Sequence, residues 1–442
     1  MKISIAFKQL ICNFYTIHKI VFEYWREIMK PINMIIIGAG NRGQNYASYT
    51  LIYPENARVV GVAEPREYYR NEMAKKYNIP KENVVNDWKE FVNRKKFADA
   101  VIIATQDREH VEPAIQFAEL GYNILLEKPI SPFESECDRL YENLKNKNII
   151  FSVCHVLRYT PFTTKLKSIL DSGTIGEIIS MQHLEPVGYY HQAHSFVRGN
   201  WRKESESSFM LLAKSCHDID WINFIMGSKC KSVSSFGSLK HFRKENKPEN
   251  AGKRCVDCSY EPNCPYSAIK IYLKRAKEGF FDWPVNIITT DLSIDGVKKA
   301  IETGPYGLCV YECDNDVVDN QVVILEYDEG KTVSFTMTAF TDLTYRRTSI
   351  FGTRGEIYGD GDKIEIFDFM TDKKTTIPIN IIENTPLSGH GSGDFYLIDS
   401  FVRAIIENNP SYILSGLNET IASHKLVFAA EKARKEKKVI NL

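Results

Sequence analysis

Short apolar runs alternate with amphipathic segments between Met34 and about residue 156. The apolar runs read MIIIG, ARVVGVAE, ADAVIIAT and YNILLE, and the segments between them read NYASYTLIY, REYYRNEMAKKY and EHVEPAIQFAEL. Apolar runs of this length joined by helical segments are typical of parallel strands connected by right-handed crossovers. The pattern therefore predicts an α/β domain at residues 34–156, built on a doubly wound parallel sheet.

The pattern changes beyond about residue 156. Apolar and polar residues alternate, with glycine-containing turns between the runs, at residues 177–186, 320–340, 345–369 and 373–379. This alternation predicts a second α/β domain at residues 157–442 with a mostly antiparallel sheet. We expect helices to cover one face of that sheet near residues 209–227, 394–407 and 416–436. A loop-rich, Cys-rich insertion is expected around residues 241–320.

The formal charges of the chain cancel, with 56 Lys and Arg residues against 56 Asp and Glu residues. The 442 residues are 43% hydrophobic and 25% charged, which is ordinary globular composition and enough material for two domains. A chain without net charge has no general attraction for nucleic acid or an anionic membrane. We therefore expect a small molecule or another protein as the partner.

No run of about 18 uncharged apolar residues occurs, so the sequence predicts no transmembrane helix. The first 33 residues are partly apolar, but Lys8, Lys19 and Glu23 interrupt the run, and no small-residue cleavage site follows. We predict that residues 1–33 are an extension outside the fold and that the protein is cytoplasmic.

The motif GAGNRG follows the first predicted strand and precedes a helix. In this context Gly38 permits a tight turn, Gly40 permits close approach to a pyrophosphate, and Gly43 permits close packing of helix on strand. A dinucleotide-binding Rossmann domain is thus predicted, with Asn41 and Arg42 inside the motif.

Glu64 ends the second strand, where an acidic residue binds the adenosine ribose hydroxyls. A carboxylate there repels a 2′-phosphate and favours NAD over NADP. NADP stays an alternative, because the positive charge of Arg66 could neutralise the 2′-phosphate.

Polar residues also follow the third and fourth predicted strands. Thr105 and Gln106 lie at the carboxyl edge of the sheet, where ligands bind in such folds, and His110 opens the next helix. His110 is either a cofactor contact or a capping residue. Glu127 and Lys128 end the fourth run in the stretch EKPISP, which is either a functional turn or an ion pair that closes a strand.

The motifs GAGNRG, AEP, ATQDREH, GYNILLEKPIS and SGTIGEI together closely resemble the Gfo/Idh/MocA oxidoreductases. The resemblance covers nearly all of the chain after residue 34. It implies an open sheet in the second domain, sugar or cyclitol substrates, and a dimer or tetramer. It also implies that Lys128 lies beside the nicotinamide, often over a cis proline bond, and that Glu127 helps to position the cofactor.

The stretch LLAKSCHDIDW supplies a candidate acid/base, His217, which helical spacing places on one face with Ala213. Family members commonly have an aspartate at the position of Ala213, so the partner of His217 is absent here. Asp218 and Asp220 are candidate replacements, and Lys214 is a candidate ligand for a substrate carboxylate. The alternative is that His217 is a core or capping histidine.

Three further residues are predicted substrate contacts. Arg158 and Tyr159 lie where the chain passes between the domains, and His390 lies in the glycine-rich loop SGHGSGDFY. That loop resembles one near the sugar site of several family branches, including redox-neutral NAD-dependent glycosidases. Asp394, in the same loop, is alternatively a helix N-cap.

Five cysteines fall within about sixty residues of the insertion. They are candidate metal ligands, because thiolates can enclose a metal without a regular element. A structural zinc is the leading interpretation, and an iron–sulfur cluster or reduced thiols are the alternatives. The five are Cys255, Cys258, Cys264, Cys309 and Cys313.

The sequence as a whole predicts an NAD(P)-dependent oxidoreductase that acts on a secondary hydroxyl of a sugar, sugar derivative or cyclitol. One alternative is a redox-neutral NAD-dependent glycosidase, which shares Lys128 and the cofactor. A second alternative is a non-catalytic dinucleotide-binding sensor. The absence of an aspartate partner for His217 would be consistent with that alternative.

Overall fold

The computed structural model describes residues 30–342 and 345–442. Most of the predicted N-terminal extension, residues 1–29, lies outside the described residues. The last part of that extension belongs to the fold, because the first strand begins at Ile32 and not at Met34.

Fifteen strands form two sheets in the described residues. The strands are β1 (Ile32–Ile37), β2 (Ala57–Ala63), β3 (Val84–Val85), β4 (Ala100–Ile103), β5 (Asn123–Leu126), β6 (Phe151–Val153), β7 (Ile178–Pro186), β8 (Cys230–Ser238), β9 (Asn320–Tyr327), β10 (Thr332–Thr338), β11 (Arg347–Gly352), β12 (Gly355–Gly359), β13 (Lys363–Asp368), β14 (Lys373–Pro378) and β15 (Ile440–Asn441).

The α-helices of the described residues are α1 (Asn41–Ala47), α2 (Tyr49–Ile52), α3 (Glu67–Tyr77), α4 (Lys89–Val92), α5 (Val111–Glu119), α6 (Glu134–Leu144), α7 (Pro161–Asp171), α8 (Tyr189–His191), α9 (Met210–Ala213), α10 (Cys216–Met226), α11 (Lys274–Lys277), α12 (Val285–Ile288), α13 (Ile294–Thr303), α14 (Gly393–Ile406) and α15 (Leu417–Glu436).

The first sheet has six parallel strands in the order β3-β2-β1-β4-β5-β6. The predicted doubly wound parallel sheet is therefore confirmed. The four central strands are nearly continuous apolar runs because helices cover both of their faces. The two outer strands, β3 and β6, are too short to give a pattern and were not predicted.

The second sheet has nine strands in the order β14-β13-β12-β11-β7-β10-β9-β8-β15. Its only parallel pair among the described residues is β7 with β10, so the predicted mostly antiparallel sheet is confirmed. Along β9, buried and exposed residues alternate strictly, which is the period of a sheet with one covered face. The strand β8 was not predicted, because its sequence KSVSSFGS is mostly polar and does not show a clear alternation.

Two predicted helices differ from expectation. The helix expected at 209–227 is two helices, α9 and α10, because Lys214 and Ser215 interrupt it. The helix α14 was expected on the second sheet. It packs on the first one instead, since Leu397 and Phe401 share a core with Met34 and Ile36 of β1.

The last helix, α15, connects the two cores. Ile421 packs into a core of the first sheet, whereas Leu426 and Val427 pack into the core of the second. Both late helices therefore bring residues of the second half of the chain next to the carboxyl edge of the first sheet. Within residues 30–342 and 345–442, no helix is long and apolar enough to cross a membrane.

Candidate active site

The glycine-rich turn between β1 and α1 has the geometry that the sequence predicts. Gly38 has a φ of +88°, and an added Cβ would lie 2.4 Å from the carbonyl oxygen of Ala104. A Cβ on Gly43 would lie 2.0 Å from the carbonyl oxygen of Gly38, so only glycine lets α1 pack this close to the strand. At Gly40 the nearest neighbour of an added Cβ is a side-chain nitrogen of Arg66, 3.4 Å away. The Cβ direction of Gly40 is therefore less crowded than those of Gly38 and Gly43.

The carboxylate of Glu64 lies directly beside this turn, at the end of β2. It accepts hydrogen bonds from the backbone N–H of Ala39 at 2.8 Å and from Arg66 Nε at 2.7 Å. Burial alone would raise the pKa of Glu64, but the hydrogen bonds from Arg66 and Ala39 hold it below its usual value. The ribose position thus carries a permanent negative charge that Arg66 partly offsets.

Lys128 stands at the carboxyl edge of the first sheet, after β5. Its peptide bond to Pro129 is cis, as the resemblance implies. Its Nζ donates a hydrogen bond to the backbone carbonyl of Ala213 at 2.7 Å, which links the first sheet to the second half of the chain. Lys128 as a residue is intermediate between buried and exposed.

The break between α9 and α10 makes this contact possible. In a continuous helix the carbonyl of Ala213 would accept the N–H of His217 four residues later. Because the chain turns at Lys214 and Ser215, that carbonyl is free to accept from Lys128. The expected placement of Ala213 and His217 on one helical face is therefore wrong.

Arg42 joins the glycine-rich turn, the Lys128 turn and α14. Its Nε donates to Glu127 at 2.6 Å, and its two terminal nitrogens donate to Asp394 at 2.7 and 3.2 Å. Tyr46 Oη also donates to Glu127, at 2.9 Å. Arg42 and Glu127 were predicted as cofactor contacts, but these bonds make them supports of the turn that carries Lys128. Burial opposes ionisation of Glu127, yet the charges of Arg42 and Lys128 hold its pKa below the usual value.

His390 and Asp394 form a histidine–carboxylate pair in front of α14. His390 Nδ1 lies 3.2 Å from Asp394 Oδ2, and the His390 side chain is 33% exposed. Asp394 is not the N-cap, which is Ser392 without a side-chain capping bond. Burial opposes ionisation of Asp394, but Arg42 and His390 together hold its pKa well below its usual value. The carboxylate therefore stays negative behind the imidazole.

His217 faces His390, with their ring centroids 5.6 Å apart. It is buried, and its Nδ1 has no hydrogen-bond partner among the described residues. Burial, and next the positive charge of Lys128, lower the pKa of His217 well below 6.5. The imidazole is therefore neutral at neutral pH, and its Nδ1 is buried without a hydrogen bond among the described residues.

Neither aspartate that was expected to assist His217 does so. Asp218 accepts from Arg346 at 2.5 Å and lies 3.1 Å from His183 Nε2. Arg346 also lies 2.9 Å from Glu185, whose other oxygen is 3.1 Å from Lys214 Nζ. Lys214 is thus already paired with a carboxylate, which weakens the prediction that it binds an anionic substrate group.

Arg158 and Tyr159 do not face the cleft, contrary to the prediction. Two nitrogens of Arg158 donate to Asp220 at 2.7 and 2.8 Å, and the third donates to the carbonyl of Leu414 at 2.6 Å. The hydroxyl of Tyr159 accepts the backbone N–H groups of Leu414 and Ser415. Both side chains are buried and hold the segment before α15.

The residues after β4 have two different placements. Thr105 and Gln106 lie at the carboxyl edge with at least partial exposure. His110 is buried, with its ring nitrogens 2.6 Å from the carbonyl oxygen of Pro129 and 3.2 Å from that of Thr105. His110 therefore connects the two turns and does not point toward a cofactor. The exposed Asn41 is the first residue of α1.

The cysteines of the insertion are reduced and lie away from this cleft. Cys255, Cys258, Cys264, Cys309 and Cys313 are all free. In the part of the chain that the structure describes, no group of three or more His, Cys, Asp or Glu side chains is arranged to hold a metal ion. Zinc binding therefore stays a prediction.

Several site residues were missed by sequence reasoning. Arg346 and Glu185 come from opposite ends of the second half and carry no motif. Arg42 and Asp394 are 352 positions apart, so only the fold reveals their pairing. Only the pairing of Asp394 with His390 had a local signal in the sequence, because the two residues are four positions apart.

Curated relatives include both hydratases and dehydrogenases. The 2,7-anhydro-N-acetylneuraminate hydratase of Mediterraneibacter gnavus is 28% identical over 274 residues, which are 62% of this chain and 67% of the relative. The levoglucosan dehydrogenase of Pseudarthrobacter phenanthrenivorans is 28% identical over 206 residues, which are 45% of this chain and 52% of the relative.

A solved levoglucosan dehydrogenase, in complex with NADH and L-sorbose, has a similar fold. Its TM-score is 0.67 at 20% identity, and the match covers 93% of this chain and 99% of that one. At this identity the likeness shows the fold alone.

Two family models match most of the chain. The model described as "Oxidoreductase family, NAD-binding Rossmann fold" matches residues 32–155. The model of the same family's C-terminal alpha/beta domain matches residues 167–442. The prediction of an NAD-binding oxidoreductase with these two folds is thereby confirmed, and the chain belongs to the Gfo/Idh/MocA oxidoreductase family.

Proposed function

We propose that this protein is an NAD-dependent oxidoreductase that removes hydride from a secondary hydroxyl of a sugar, sugar derivative or cyclitol. The observation that carries the proposal is the position of Lys128. Its ammonium group stands at the carboxyl edge of the dinucleotide-binding sheet and is fixed by the carbonyl of Ala213. Ligands bind at that edge in doubly wound folds.

Lys128 stabilises the charge that develops on the reacting oxygen. An ammonium group within hydrogen-bond distance of an alkoxide lowers the energy of the transition state in a cleft with little water. Glu127, Arg42 and Tyr46 hold the Lys128 turn through three hydrogen bonds, so the ammonium group needs little reorganisation. Bound NAD supplies the acceptor for the hydride.

His390, backed by Asp394, takes the hydroxyl proton. A carboxylate at 3.2 Å stabilises the imidazolium that forms, and the exposed side of the ring can pass the proton to water. His217 is a poorer proton acceptor because its pKa is well below 6.5. Its Nδ1 is buried, so we assign a neutral hydrogen bond to the substrate to its other ring nitrogen, Nε2. This assignment differs from the sequence-based expectation, in which His217 was the acid/base.

We further propose NAD as the preferred cofactor. The Glu64 carboxylate stays charged beside the glycine-rich turn, and it suits two ribose hydroxyls better than a 2′-phosphate. Arg66 is already paired with Glu64 through Nε at 2.7 Å and Nη2 at 2.9 Å, so its charge is partly neutralised before any phosphate could bind.

A panel of sugars and cyclitols incubated with NAD tests the proposal. The appearance of reduced nicotinamide, with product lighter by two hydrogen atoms, is the expected result for at least one compound. NAD binding without turnover of any compound in a broad panel would instead favour a dinucleotide-binding sensor.

A redox-neutral reaction is the second candidate. The hydratase relative of Mediterraneibacter gnavus and the histidine–carboxylate pair at His390 both favour it. In such a cycle the substrate is oxidised transiently, a group is eliminated or water is added, and the hydride returns. Product formation with no net change in nicotinamide absorbance distinguishes this reaction from simple dehydrogenation.

We also propose that copies of the chain associate through the outer face of the second sheet. Phe236 is 66% exposed and lies opposite Val322 in the β8–β9 pair, with Ile324 two residues further along β9. Exposed apolar side chains on neighbouring strands are unusual for a sheet that faces water. The homo-oligomer implied by the family resemblance would cover them.

A further inference from the structure

Four cysteines of the insertion surround one small cavity that is separate from the active site. Cys255, Cys258 and Cys264 come from one loop, and Cys309 comes from a segment that pairs with it through a bridge between Arg254 and Leu308. The fold therefore brings two separate parts of the chain together at this point. The cavity wall also contains the side chain of Arg198.

Arg198 is a buried cation without a carboxylate ion-pair partner among the described residues. It is 2% exposed, and it donates to the carbonyl oxygens of Leu308 at 2.7 Å and Tyr266 at 2.8 Å. It also contacts Cys255 Sγ at 3.6 Å and interacts with the hydroxyl of Tyr272. A buried guanidinium costs several kcal/mol unless an anion compensates it. Among the groups that line this cavity with Arg198, the cysteines can become a joint anion, whereas the carboxylate of Glu261 already accepts a hydrogen bond from Ser267.

Backbone N–H groups also point at the sulfurs. Gly252 donates to Cys258 Sγ at 3.2 Å, and Ala268 donates to Cys255 Sγ at 3.3 Å. Hydrogen bonds of this kind orient metal-bound thiolates and stabilise their charge. A Cβ on Gly252 would lie 2.8 Å from the carbonyl oxygen of Asp257, so a glycine is needed for the loop to close around Cys258.

We propose that Cys255, Cys258, Cys264 and Cys309 bind a metal centre as thiolates, with Arg198 as the compensating cation. Two centres have this chemistry, a tetrahedral zinc ion and a four-iron, four-sulfide cluster, and both leave four thiolates with net negative charge. The sulfurs are not yet gathered around a single ion in the described residues.

Cys313 is excluded from the ligand set. It does not border the cavity, and its Sγ donates to the carbonyl oxygen of Cys309 at 3.3 Å. The metal centre thus has four ligands, not the five candidates of the sequence. Its role is to fix the insertion, because it lies outside the cleft that contains Lys128.

Metal analysis of the full chain tests this proposal. The protein is purified without nickel affinity and without chelators, under nitrogen, and zinc, iron and acid-labile sulfide are measured per chain. About one zinc per chain identifies the single-ion centre, and about four irons with an equal amount of sulfide identify the cluster. Either result supports the thiolate centre and tells which metal it holds. Protein that contains neither, and that takes up neither zinc nor a reconstituted cluster, overturns the proposal.

Matched cysteine variants test the ligand set. We expect Cys258→Ser and Cys264→Ser to retain less than about a tenth of the wild-type metal. Cys313→Ser and the distant Cys230→Ser keep the full content. Arg198→Met, which retains the size of the side chain, lowers the metal content or its resistance to chelator. Equal metal loss in Cys313→Ser and Cys258→Ser contradicts the four-ligand set.

The metal content of Lys128→Met stays that of wild type, so failure of the metal site is distinguishable from failure of the proposed enzyme activity.

Discussion

Residue 213 contributes its backbone to the site, not its side chain. Many family members are expected to have an aspartate there, whereas this chain has an alanine whose carbonyl holds Lys128 at 2.7 Å. A partly exposed histidine–carboxylate pair is formed by His390 and Asp394. We infer that the proton-accepting function has moved from the α9–α10 segment to the loop before α14.

Separate substitution of each histidine by asparagine tests this assignment. We expect His390→Asn to lower kcat by about 10²–10⁴, because the carboxylate-backed base is lost. His217→Asn should mainly raise KM, since it removes a neutral hydrogen bond. Steady-state kinetics on the substrate found in the panel provide both constants, and His241→Asn, in the insertion, serves as the control histidine. A larger loss of kcat in His217→Asn than in His390→Asn would return the acid/base role to His217.

Sequence motifs predicted the residues of the site better than their partners. Lys128, His217 and His390 lie in short motifs; the rings of His217 and His390 are 5.6 Å apart, and Lys128 bonds to the carbonyl of Ala213, just before the helix of His217. Arg158 and Tyr159 lie at the predicted crossing between the domains, but their side chains bond to the segment before α15. Position along a chain does not reveal which face of a turn a side chain occupies, so these two roles were not predictable.

At the scale of elements, Gly43 and Gly40 of the GAGNRG turn differ in what surrounds them. A Cβ on Gly43 would overlap the carbonyl oxygen of Gly38, whereas the nearest neighbour of a Cβ on Gly40 is the end of the Arg66 side chain, 3.4 Å away. Gly43 therefore serves the packing of α1 on β1, and Gly40 is the position proposed for approach of the dinucleotide. Two single substitutions separate these effects.

We expect Gly43→Ala to destabilise the fold by about 1–3 kcal/mol, because α1 must shift away from β1. Gly40→Ala should keep the unfolding free energy within about 0.5 kcal/mol of wild type and weaken NAD binding instead. Urea unfolding and NAD titration measure the two quantities on each variant. Equal loss of stability in both would contradict the different packing of the two glycines.

A chain of buried histidines lies between α10 and α15. The ring of His155 is 5.9 Å from that of His217 and 5.6 Å from that of His424. Burial lowers the pKa of His155 to about 4 and that of His424 to about 3. In the unfolded chain these groups bind protons near 6.5, so the unfolded state holds more protons below that pH.

Stability should therefore be complete above pH ~6.5 and fall as the pH decreases toward 4, by about 2 kcal/mol per histidine between pH ~7 and ~5. Urea unfolding at these two pH values measures the loss. In His155→Gln one titrating group is removed, so the pH dependence should be shallower than in wild type. An identical slope in that variant would show that His155 does not contribute.

At the scale of the whole molecule, the second half of the chain completes the first. The helix α14 packs on the dinucleotide-binding sheet and delivers Asp394 to Arg42. Helical periodicity predicted α14 and α15 close to their observed ranges, because it depends on residues three and four apart. It could not predict which sheet α14 covers, because both sheets offer an apolar face.

The exposed face of the second sheet yields a prediction about assembly. We expect the wild-type protein to be a dimer or larger, and Phe236→Lys combined with Ile324→Lys to shift it toward monomer, because charge would be buried in the interface. Light scattering after size-exclusion chromatography measures the mass. Tyr68→Lys, at a side chain that is 51% exposed on α3, is the control. A monomeric wild-type protein at micromolar concentration would contradict the proposed interface.

The central claim is that Lys128 assists hydride removal from a carbohydrate hydroxyl. The most direct measurement mixes NAD-loaded protein with the active compound and follows reduced nicotinamide in a single turnover, for wild type and Lys128→Met. We predict that the variant binds NAD as tightly as wild type and reduces it about 10²–10³ times more slowly. If the variant reduces NAD at the wild-type rate, the role proposed for Lys128 is wrong.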